Sequence, residues 1–275
     1  MTPKLPYLNL GCGSRYFVEW TNLDFLSFNE AVQQADLSKG IPGSDDQFAI
    51  VYHSHILEHF EKHAAERFIA ECYRVLKPDG ILRLATPDLE QIARQYLIVL
   101  EKAWSDLDTK SAADHNWAVI EMYDQAVRSK PGGSMAEYWR QASIANESTL
   151  IQRVGQEYLH FKQSKTKPSM SDKLSLLFKK PIYSLNLFFD QCLNRFFPNS
   201  SMQIGRFRKG GEIHQWMYDK FSLRQILSKA GFTDIKIQEA DTSYISDWNK
   251  WSWLDIEDGK ARKPDSIFIE AKKPA

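Results

Sequence analysis

Short apolar segments alternate with segments of helical periodicity through the first third of this 275-residue chain. This alternation is typical of βαβ units around a parallel sheet. The predicted strands are Pro6 to Leu10, Trp20 to Phe25, Gln33 to Leu37, Phe48 to Ser54 and Ile81 to Thr86. The strand at 48–54 is almost wholly apolar, so we expect it to be buried on both faces. A helix is predicted over Ala64 to Leu76, because its apolar residues recur at helical spacing.

The alternation stops after the fifth strand and returns near the end of the chain. A helix over Asp219 to Ala230 precedes two further predicted strands, Thr233 to Glu239 and Ser266 to Ala271. Two strands alone would lack partners, so we expect them to join the first sheet. The predicted organisation is an α/β core of residues 1–88 and 213–275, interrupted by a helical insertion, or lid, of residues 89–212.

Charge is balanced over the whole chain but not along it. Lys and Arg total 35 and Asp and Glu total 35, which argues against a dedicated nucleic-acid binder. Residues 160–212 nevertheless contain ten Lys or Arg against three Asp or Glu. An apolar helical stripe follows Lys179 and Lys180 there, at Leu185, Phe188, Phe189, Cys192, Leu193 and Phe196. Such a stripe either packs onto the core or lets residues 171–197 contact an anionic membrane surface.

Three cysteines are spread through the chain without any Cys-x-x-Cys pair: Cys12, Cys72 and Cys192. This spacing indicates neither a disulfide framework nor a thiolate zinc site, and it fits a reducing compartment. Residues Met1 to Leu10 contain no signal-like apolar stretch, and no segment approaches the ~18 apolar residues of a membrane span. We therefore expect a cytoplasmic protein. Nothing in the sequence indicates its oligomeric state.

A glycine-rich turn, Gly11-Cys12-Gly13, follows the first strand directly. Missing side chains let the backbone approach a ligand, although a lone turn of this kind is also common without one. Asp24 ends the second strand, where a carboxylate can accept hydrogen bonds from ribose hydroxyls, and Asp36 with Leu37 ends the third. A dinucleotide-binding fingerprint would have glycine at the position of Tyr16 and an acidic residue ~20 positions after the glycines, whereas Asp24 follows Gly11 much sooner. A mononucleoside ligand therefore fits better.

Five motifs occur in one order that resembles class I S-adenosylmethionine-dependent methyltransferases, most closely the type 11 group. They are Leu8-Asn9-Leu10-Gly11-Cys12-Gly13, Trp20-Thr21-Asn22-Leu23-Asp24, Ala35-Asp36-Leu37, His55-Ile56-Leu57-Glu58-His59 and Leu76-Lys77-Pro78-Asp79-Gly80. The resemblance covers residues 5–87 closely and 213–272 more loosely. It implies a Rossmann-like, seven-stranded sheet with a reversed last strand, and S-adenosylmethionine as cofactor.

The resemblance also implies which residues contact the cofactor. The glycines would lie under its methionine part, Asp24 on the ribose, Asp36 and Leu37 at the adenine, and the end of the fourth strand along the cleft. The implied contacts are Asn9, Gly11, Cys12, Gly13, Asp24, Asp36, Leu37, His53 and Ser54. The family often has an acidic residue at the position of Asn9 and a third glycine at that of Arg15, which leaves the contact to the methionine amino group open.

Four histidines, His53, His55, His59 and His63, fall within eleven residues. His55-x-x-Glu58-His59 matches a zinc-peptidase signature, but that signature lies in the middle of a helix, whereas this segment follows a strand. Zinc hydrolysis is therefore a remote alternative, and no metal is predicted. Another alternative is that His59 and His63 flank a helix without any chemical role.

Methyl transfer is an in-line displacement, so the protein mainly aligns the nucleophile and removes its proton when it is a hydroxyl. Histidine suits that task, and the candidates are His55, His59 and His214. Asp88, just past the fifth strand, is placed where substrate would approach. It is equally suited to cap the following helix.

Within the insertion, Trp117, Glu121, Asp124 and Arg128 are spaced along one face of a predicted helix. This face resembles a polar-substrate surface, or else a solvated helix with internal ion pairs. The overall layout resembles methyltransferases of surface-polysaccharide biosynthesis, which favours O-methylation of a sugar, a glycan or another small polar acceptor. The alternative is a protein that binds the cofactor without catalysis and uses the lid as a partner surface.

Overall fold

The computed structural model describes residues 5–27, 29–163 and 201–275. Seven strands form the main sheet: β1 (Tyr7–Leu10), β2 (Thr21–Asp24), β3 (Val32–Gln34), β4 (Phe48–Ser54), β5 (Leu76–Pro87), β6 (Thr233–Gln238) and β9 (Ser266–Lys272). A separate small hairpin joins β7 (Ile256–Glu257) to β8 (Lys260–Ala261).

The main sheet has the order β3-β2-β1-β4-β5-β9-β6. Strands β1 to β5 pair in parallel, whereas β9 is antiparallel to both β5 and β6. This confirms the predicted seven-stranded sheet with a reversed last strand. The strand order changes direction between β1 and β4, and a crevice opens at the carboxyl ends of the strands at such a point.

Helices flank the sheet and fill the long connection between β5 and β6. They are α1 (Lys62–Val75), α2 (Leu89–Asp106), α3 (Thr109–Val127), α4 (Gly133–Trp139), α5 (Glu147–Val154), α6 (Gln156–Gln163), α7 (Ser201–Lys209), α8 (Lys220–Ala230) and α9 (Trp248–Trp251). Short 3-10 turns occur at Leu37–Lys39, Leu57–His59 and Ser252–Leu254. Among the described residues, no helix combines the length and apolar character that a membrane span requires.

Strand β4 is buried on both faces, as its apolar sequence predicts. Side chains alternate along a strand, so Val51 belongs to the apolar cluster that contains Phe68 of α1 and Leu227 of α8. Tyr52 belongs to the cluster on the opposite face, with Trp248 of α9. The two faces of β4 thus pack against different parts of the chain.

Strand β3 is shorter than its sequence suggests and ends at Gln34. Asp36 instead precedes the 3-10 turn Leu37–Lys39 and accepts a hydrogen bond from the backbone N–H of Ser38 at 3.1 Å. Aspartate competes well for nearby backbone donors, and this favours a turn over a strand. The prediction of a strand reaching Leu37 is therefore wrong.

Residues 239–265 form a second excursion from the sheet, which the sequence pattern did not reveal. This segment, between β6 and β9, contains α9, a 3-10 turn and the β7–β8 hairpin. It is joined to the sheet by Arg83 of β5, whose side chain is fully buried. The guanidinium donates to Asp255 Oδ2 and Glu270 Oε1, each at 2.8 Å, and packs 4.1 Å from the ring of Trp248. Its remaining donors bind the carbonyls of Glu239, Ala240 and Thr242.

The insertion has an apolar cluster of its own around Trp117 on α3. Its other buried members come from α4, α5 and α6: Met135, Tyr138, Trp139, Leu150, Val154 and Tyr158. The apolar stripe and the membrane contact predicted for residues 171–197, together with Cys192, lie outside the described residues.

His53 is buried on the α1 side of β4 and does not line the predicted cofactor cleft. Its ring lies edge-on to Phe68 at 5.1 Å between centroids, and neither ring nitrogen has a hydrogen-bond partner among the described residues. The prediction placed His53 and Ser54 in one cleft, but neighbouring residues of a strand point to opposite faces. Burial lowers the pKa of His53 to about 4.

Replacing His53 by leucine is expected to stabilise the protein. Leucine removes a polar ring that is buried without partners, so the free energy of unfolding at pH 7 should rise by ~1–2 kcal/mol. Below pH 6.5, histidine binds a proton in the unfolded chain but not in the folded protein, where the pKa of His53 is about 4. The free energy of unfolding therefore falls as the pH drops from 6.5 toward 4. His53→Leu should therefore also flatten the decline of stability over that range.

Urea unfolding at several pH values measures both effects. The matched control is His63→Leu, because the His63 side chain is exposed and its replacement should change neither quantity. Equal pH profiles for His53→Leu and wild type would contradict the buried neutral state of His53.

Candidate functional site

The glycine turn after β1 is built from two residues with left-handed backbone angles. Gly11 has φ of 58° and Gly13 has φ of 53°, values that side-chain-bearing residues rarely adopt. A Cβ atom at Gly11 would lie 2.0 Å from Cδ1 of Ile56, whereas one at Gly13 would meet no described atom within 4 Å. Gly11 is therefore required by close packing, while Gly13 leaves open space above the turn.

Asp24, at the end of β2, is held against this turn. Its Oδ2 accepts a hydrogen bond from the backbone N–H of Gly13 at 2.8 Å, and its Oδ1 accepts one from Leu26 N–H at 3.0 Å. A carboxylate has about four acceptor positions, so it can still receive two ligand hydroxyls. Burial, together with the charge of Asp24, raises the pKa of the Cys12 thiol to about 12, so this thiol stays neutral.

A cavity of about 250 Å³ opens at the turn. Its lining consists of Asn9, Gly11, Cys12, Gly13, Ser14, Arg15, Tyr52, Ser54, His160, Leu254 and Arg262. The structure therefore brings together Asn9, the glycine turn and Ser54 from the predicted cofactor contacts. The cavity lies at the crevice expected from the strand order.

Leu37 is not part of this lining, because the 3-10 turn that follows β3 packs against α1 instead. It lines a separate cavity of about 450 Å³ with Phe60 and Phe68. Asp36 is tied to the same turn, where the hydrogen bond from Ser38 and the nearby Lys39 ammonium lower the pKa of its carboxyl group.

Sequence reasoning missed the far wall of the cavity at the glycine turn. Arg15 donates to Glu257 Oε2 at 2.6 Å and to the carbonyls of Trp253 and Ile256, and so ties the turn to the second excursion. His160 of α6 contacts the same carboxylate, with its Nε2 2.9 Å from Glu257 Oε1. Partners so distant in sequence leave no local pattern. The one signal in the sequence is Arg15 itself, at a position where the methyltransferases that the sequence resembles often have glycine.

His55 lies just past the end of β4 with φ of 54°, an uncommon value for a residue with a side chain. Its Nδ1 lies 3.0 Å from Glu58 Oε1, and its Nε2 lies 2.9 Å from the hydroxyl of Ser266. We assign the ring proton to Nδ1, which faces the carboxylate, so that Nε2 accepts from Ser266. Burial lowers the pKa of His55 to about 4, and the ring is therefore neutral at pH 7.

His55 and Ser266 lie between two cavities. A space of about 10 Å³ around His55 shares Ser54, Leu254 and Arg262 with the cavity at the glycine turn. On its other side, Ser266 and Phe268 also line a cleft of about 600 Å³. The side chains of His55 and Ser266 thus separate the glycine turn from this larger cleft.

The larger cleft, here called the polar cleft, is rich in carboxylates and amides. These groups belong to Asp88, Glu90, Gln91, Gln238, Glu239 and Asp241. Asp88 lines the cleft and also caps α2, where its Oδ1 accepts from Glu90 N–H at 3.0 Å. Burial raises the pKa of the Asp88 carboxyl group above its usual value.

The other two candidate histidines, His59 and His214, lie edge to face beside Glu58. The rings of His59 and His214 lie 4.9 Å apart between centroids, and neither lines the cavity at the glycine turn or the polar cleft. The 3-10 turn Leu57–His59 replaces the helix that the zinc-peptidase hypothesis requires, so the motif does not place His55 and His59 on one helical face.

The residues predicted to form a substrate surface on α3 are buried. Trp117 is 1% exposed, Glu121 5% and Asp124 6%. Glu121 pairs with Arg153 of α5 at 2.8 Å, and Asp124 pairs with Arg128 at 2.8 Å. This face packs against α4 to α6, which contradicts an exposed polar surface on α3.

Residues 14–84, from the glycine turn to β5, match a family model described as a methyltransferase domain. A search of curated proteins finds no match to this sequence. Together with the strand order, the family match supports an S-adenosylmethionine-dependent methyltransferase fold.

Several solved structures are similar at low identity. An S-adenosylmethionine-dependent methyltransferase from Archaeoglobus fulgidus is 13% identical, with a TM-score of 0.39. The alignment covers 99% of this chain and 87% of the Archaeoglobus chain. An S-adenosylmethionine-dependent methyltransferase from Mesorhizobium loti is 15% identical, with a TM-score of 0.39, and the alignment covers 98% of this chain and 92% of that one. A possible histamine N-methyltransferase from Thermotoga maritima is 14% identical, with a TM-score of 0.40, and the alignment covers 99% of this chain and 84% of that one.

Glu121→Ala is expected to destabilise the protein, because it leaves the buried guanidinium of Arg153 without its carboxylate partner. Breaking a buried ion pair on one side costs ~3–5 kcal/mol of unfolding free energy. Chemical denaturation measures this loss. Glu137→Ala, which removes the exposed partner of Lys130, is the control and should leave stability nearly unchanged. Wild-type stability in Glu121→Ala would instead favour a solvent-facing role for Glu121.

Proposed function

We propose that this protein is an S-adenosylmethionine-dependent methyltransferase. The observation that carries the proposal is the cavity at the glycine turn, beside Asp24, in a sheet with the strand order of class I methyltransferases. The family match over residues 14–84 supports it independently. Buried free thiols at Cys12 and Cys72 support a cytoplasmic location for this activity.

The residues at the cavity suit the chemical groups of S-adenosylmethionine. We assign the ribose hydroxyls to Asp24, whose carboxylate has acceptor positions left, and the methionine part to the open backbone at Gly13. Arg262 lines the cavity, its Nε is buried, and it has no ion-pair partner among the described residues. A guanidinium in this position would bind the methionine carboxylate. When bound, the cofactor supplies an electrophilic methyl group on a sulfonium.

His55 is the proposed general base for a hydroxyl acceptor. Its neutral ring presents Nε2 toward the position where Ser266 now donates a hydrogen bond, and an acceptor hydroxyl placed there would transfer its proton to Nε2. Glu58 then lies 3.0 Å from the opposite ring nitrogen, where its negative charge stabilises the imidazolium. The acceptor O–H proton would thus pass to His55 Nε2 while the oxygen bonds to the methyl carbon and the carbon–sulfur bond of the sulfonium breaks, which leaves a neutral thioether.

We propose the polar cleft as the acceptor site. Its carboxylates and amide oxygens accept hydrogen bonds, and its amide nitrogens donate them, which suits a molecule with several hydroxyls. Sugars and glycans are acceptors of this kind, as the resemblance of the sequence also suggests. Ser266 connects the cleft to His55, so an acceptor bound there needs only a short path to the base.

A second candidate function, cofactor binding without transfer, is favoured by one observation. The space around His55 is about 10 Å³, which holds about one water molecule. An acceptor oxygen from the polar cleft therefore reaches His55 only if the side chains of Ser266 and Phe268, which line both spaces, move apart. Methyl transfer from radiolabelled S-adenosylmethionine into a cell extract distinguishes the two functions, since a silent binder transfers none.

Asp24→Asn is expected to weaken S-adenosylmethionine binding by ~10-fold or more, because hydrogen bonds to a charged acceptor contribute ~1.5–3 kcal/mol each. Isothermal titration calorimetry gives the affinity directly. Asp106→Asn is the matched control, since Asp106 is exposed at the end of α2 and should bind as the wild type does. Equal affinity in both variants, or no binding by the folded wild type, would remove the proposal.

His55→Gln is expected to reduce the rate of methyl transfer by ~10²–10⁴-fold, because the acceptor hydroxyl loses its general base. S-adenosylmethionine affinity should change little, since His55 lies outside the lining of the cavity at the glycine turn. Single-turnover transfer and calorimetry measure the two quantities separately. His63→Gln serves as the control, and an equal transfer rate in both variants would assign the base to another residue.

A further inference from the structure

Glu58, His59 and His214 meet where the insertion returns to the core. Glu58 and His59 belong to the 3-10 turn after β4, whereas His214 lies between α7 and α8. Backbone hydrogen bonds join the two segments, since Gln215 N–H donates to the carbonyl of Glu58 at 2.7 Å. The side chains are therefore brought together by main-chain contacts as well as by their own packing.

One carboxylate oxygen of Glu58 and one ring nitrogen of each histidine all lie within 4.8 Å of one another. Ligands of a tetrahedral zinc ion, bound at ~2.0–2.2 Å, lie ~3.4 Å apart. The three groups would have to approach by at most ~1.4 Å, a distance within reach of side-chain rotation. The cluster thus has nearly the dimensions of a metal site.

Hydrogen bonds from outside the cluster orient two of the three groups. His59 Nδ1 lies 3.1 Å from the carbonyl of Ile213, to which it must donate, so its Nε2 keeps a free lone pair. Thr86 Oγ1 donates to Glu58 Oε2 at 3.0 Å. Histidine and carboxylate ligands of metals are typically held by such carbonyl and hydroxyl partners.

Two buried atoms of the cluster have no hydrogen bond of good geometry among the described residues. Glu58 is fully buried, and its Oε1 makes no well-aligned hydrogen bond among the described residues, although His55 Nδ1 lies 3.0 Å away. His214 is 5% exposed, and its Nδ1 has no hydrogen-bond partner in the described chain. Buried polar groups are nearly always satisfied, and an ion is one means of satisfying them.

We propose that Glu58, His59 and His214 bind a divalent transition metal ion, with zinc as the ion best suited to two imidazoles and a carboxylate. The set differs from the peptidase signature, because Nε2 of His55 contacts Ser266 instead. The bound metal connects the turn after β4 to the segment that returns from the insertion. The proposal does not rest on methyl transfer, although Glu58 is common to both, because its carboxylate also faces Nδ1 of His55.

The test uses untagged full-length protein purified without chelator. Elemental analysis is expected to find about one zinc ion per chain, and zinc competition with a chromophoric chelator gives its affinity. His214→Ala should lower that affinity by more than the ~10–100-fold expected for Thr86→Val, which loses only a hydrogen bond to a ligand. His63→Ala should bind zinc as the wild type does, because His63 is an exposed histidine of the same segment.

Cobalt substitution gives a second readout that needs no variant. Protein freed of metal and loaded with Co²⁺ should show the visible absorption of a nitrogen- and oxygen-coordinated ion, and added zinc should remove it. Folded wild type without tight zinc binding overturns the proposal. The proposal is also overturned if Thr86→Val and His214→Ala bind zinc with the same affinity as the control His63→Ala. S-adenosylmethionine binding, measured separately, leaves this outcome unaffected.

Discussion

The fully buried guanidinium of Arg83 joins the main sheet to residues 239–265. Moving a charge of that size out of water costs several kcal/mol, and only good partners offset the cost. Arg83 has them, because two carboxylates and three carbonyls receive all five of its N–H donors and an indole ring covers its face. Glu270 belongs to the sheet and Asp255 to the second excursion, so this one side chain fixes the excursion against β5.

The cavity at the glycine turn depends on that attachment. Leu254 and Arg262 form part of its wall, and they flank the carboxylate of Asp255 that Arg83 holds. Arg15 reaches the same excursion from the opposite side through Glu257. These contacts supply the far wall of the cavity at the carboxyl end of β1. The small space around His55 shares Leu254 and Arg262 with that wall.

The sequence predicted the parts of this arrangement that local patterns encode. Most strands of the main sheet, the glycine turn, the position of Asp24 and the position of His55 just after β4 follow from the short-range spacing of apolar residues and glycines. The end of β3 and the β7–β8 hairpin do not. The burial of Glu121 and Asp124 could not be predicted, because a polar helical face looks the same whether it meets water or an arginine such as Arg153. Residues 239–265 lack a regular period, and their position depends on contacts with Arg83 and Arg15 that lie far away in sequence.

The two walls of the cavity come from parts of the chain that are distant in sequence, since Arg15 and Glu257 are 242 positions apart. Domains begin to fold during synthesis from the amino terminus. The ribosome releases β1 to β5 before the partners of Arg15 and Arg83 in residues 239–270 emerge. A nascent chain therefore passes through a stage in which the sheet lacks its last two strands and cannot enclose a ligand. The site becomes competent only after residues 239–265 have been synthesised and have reached Arg15 and Arg83.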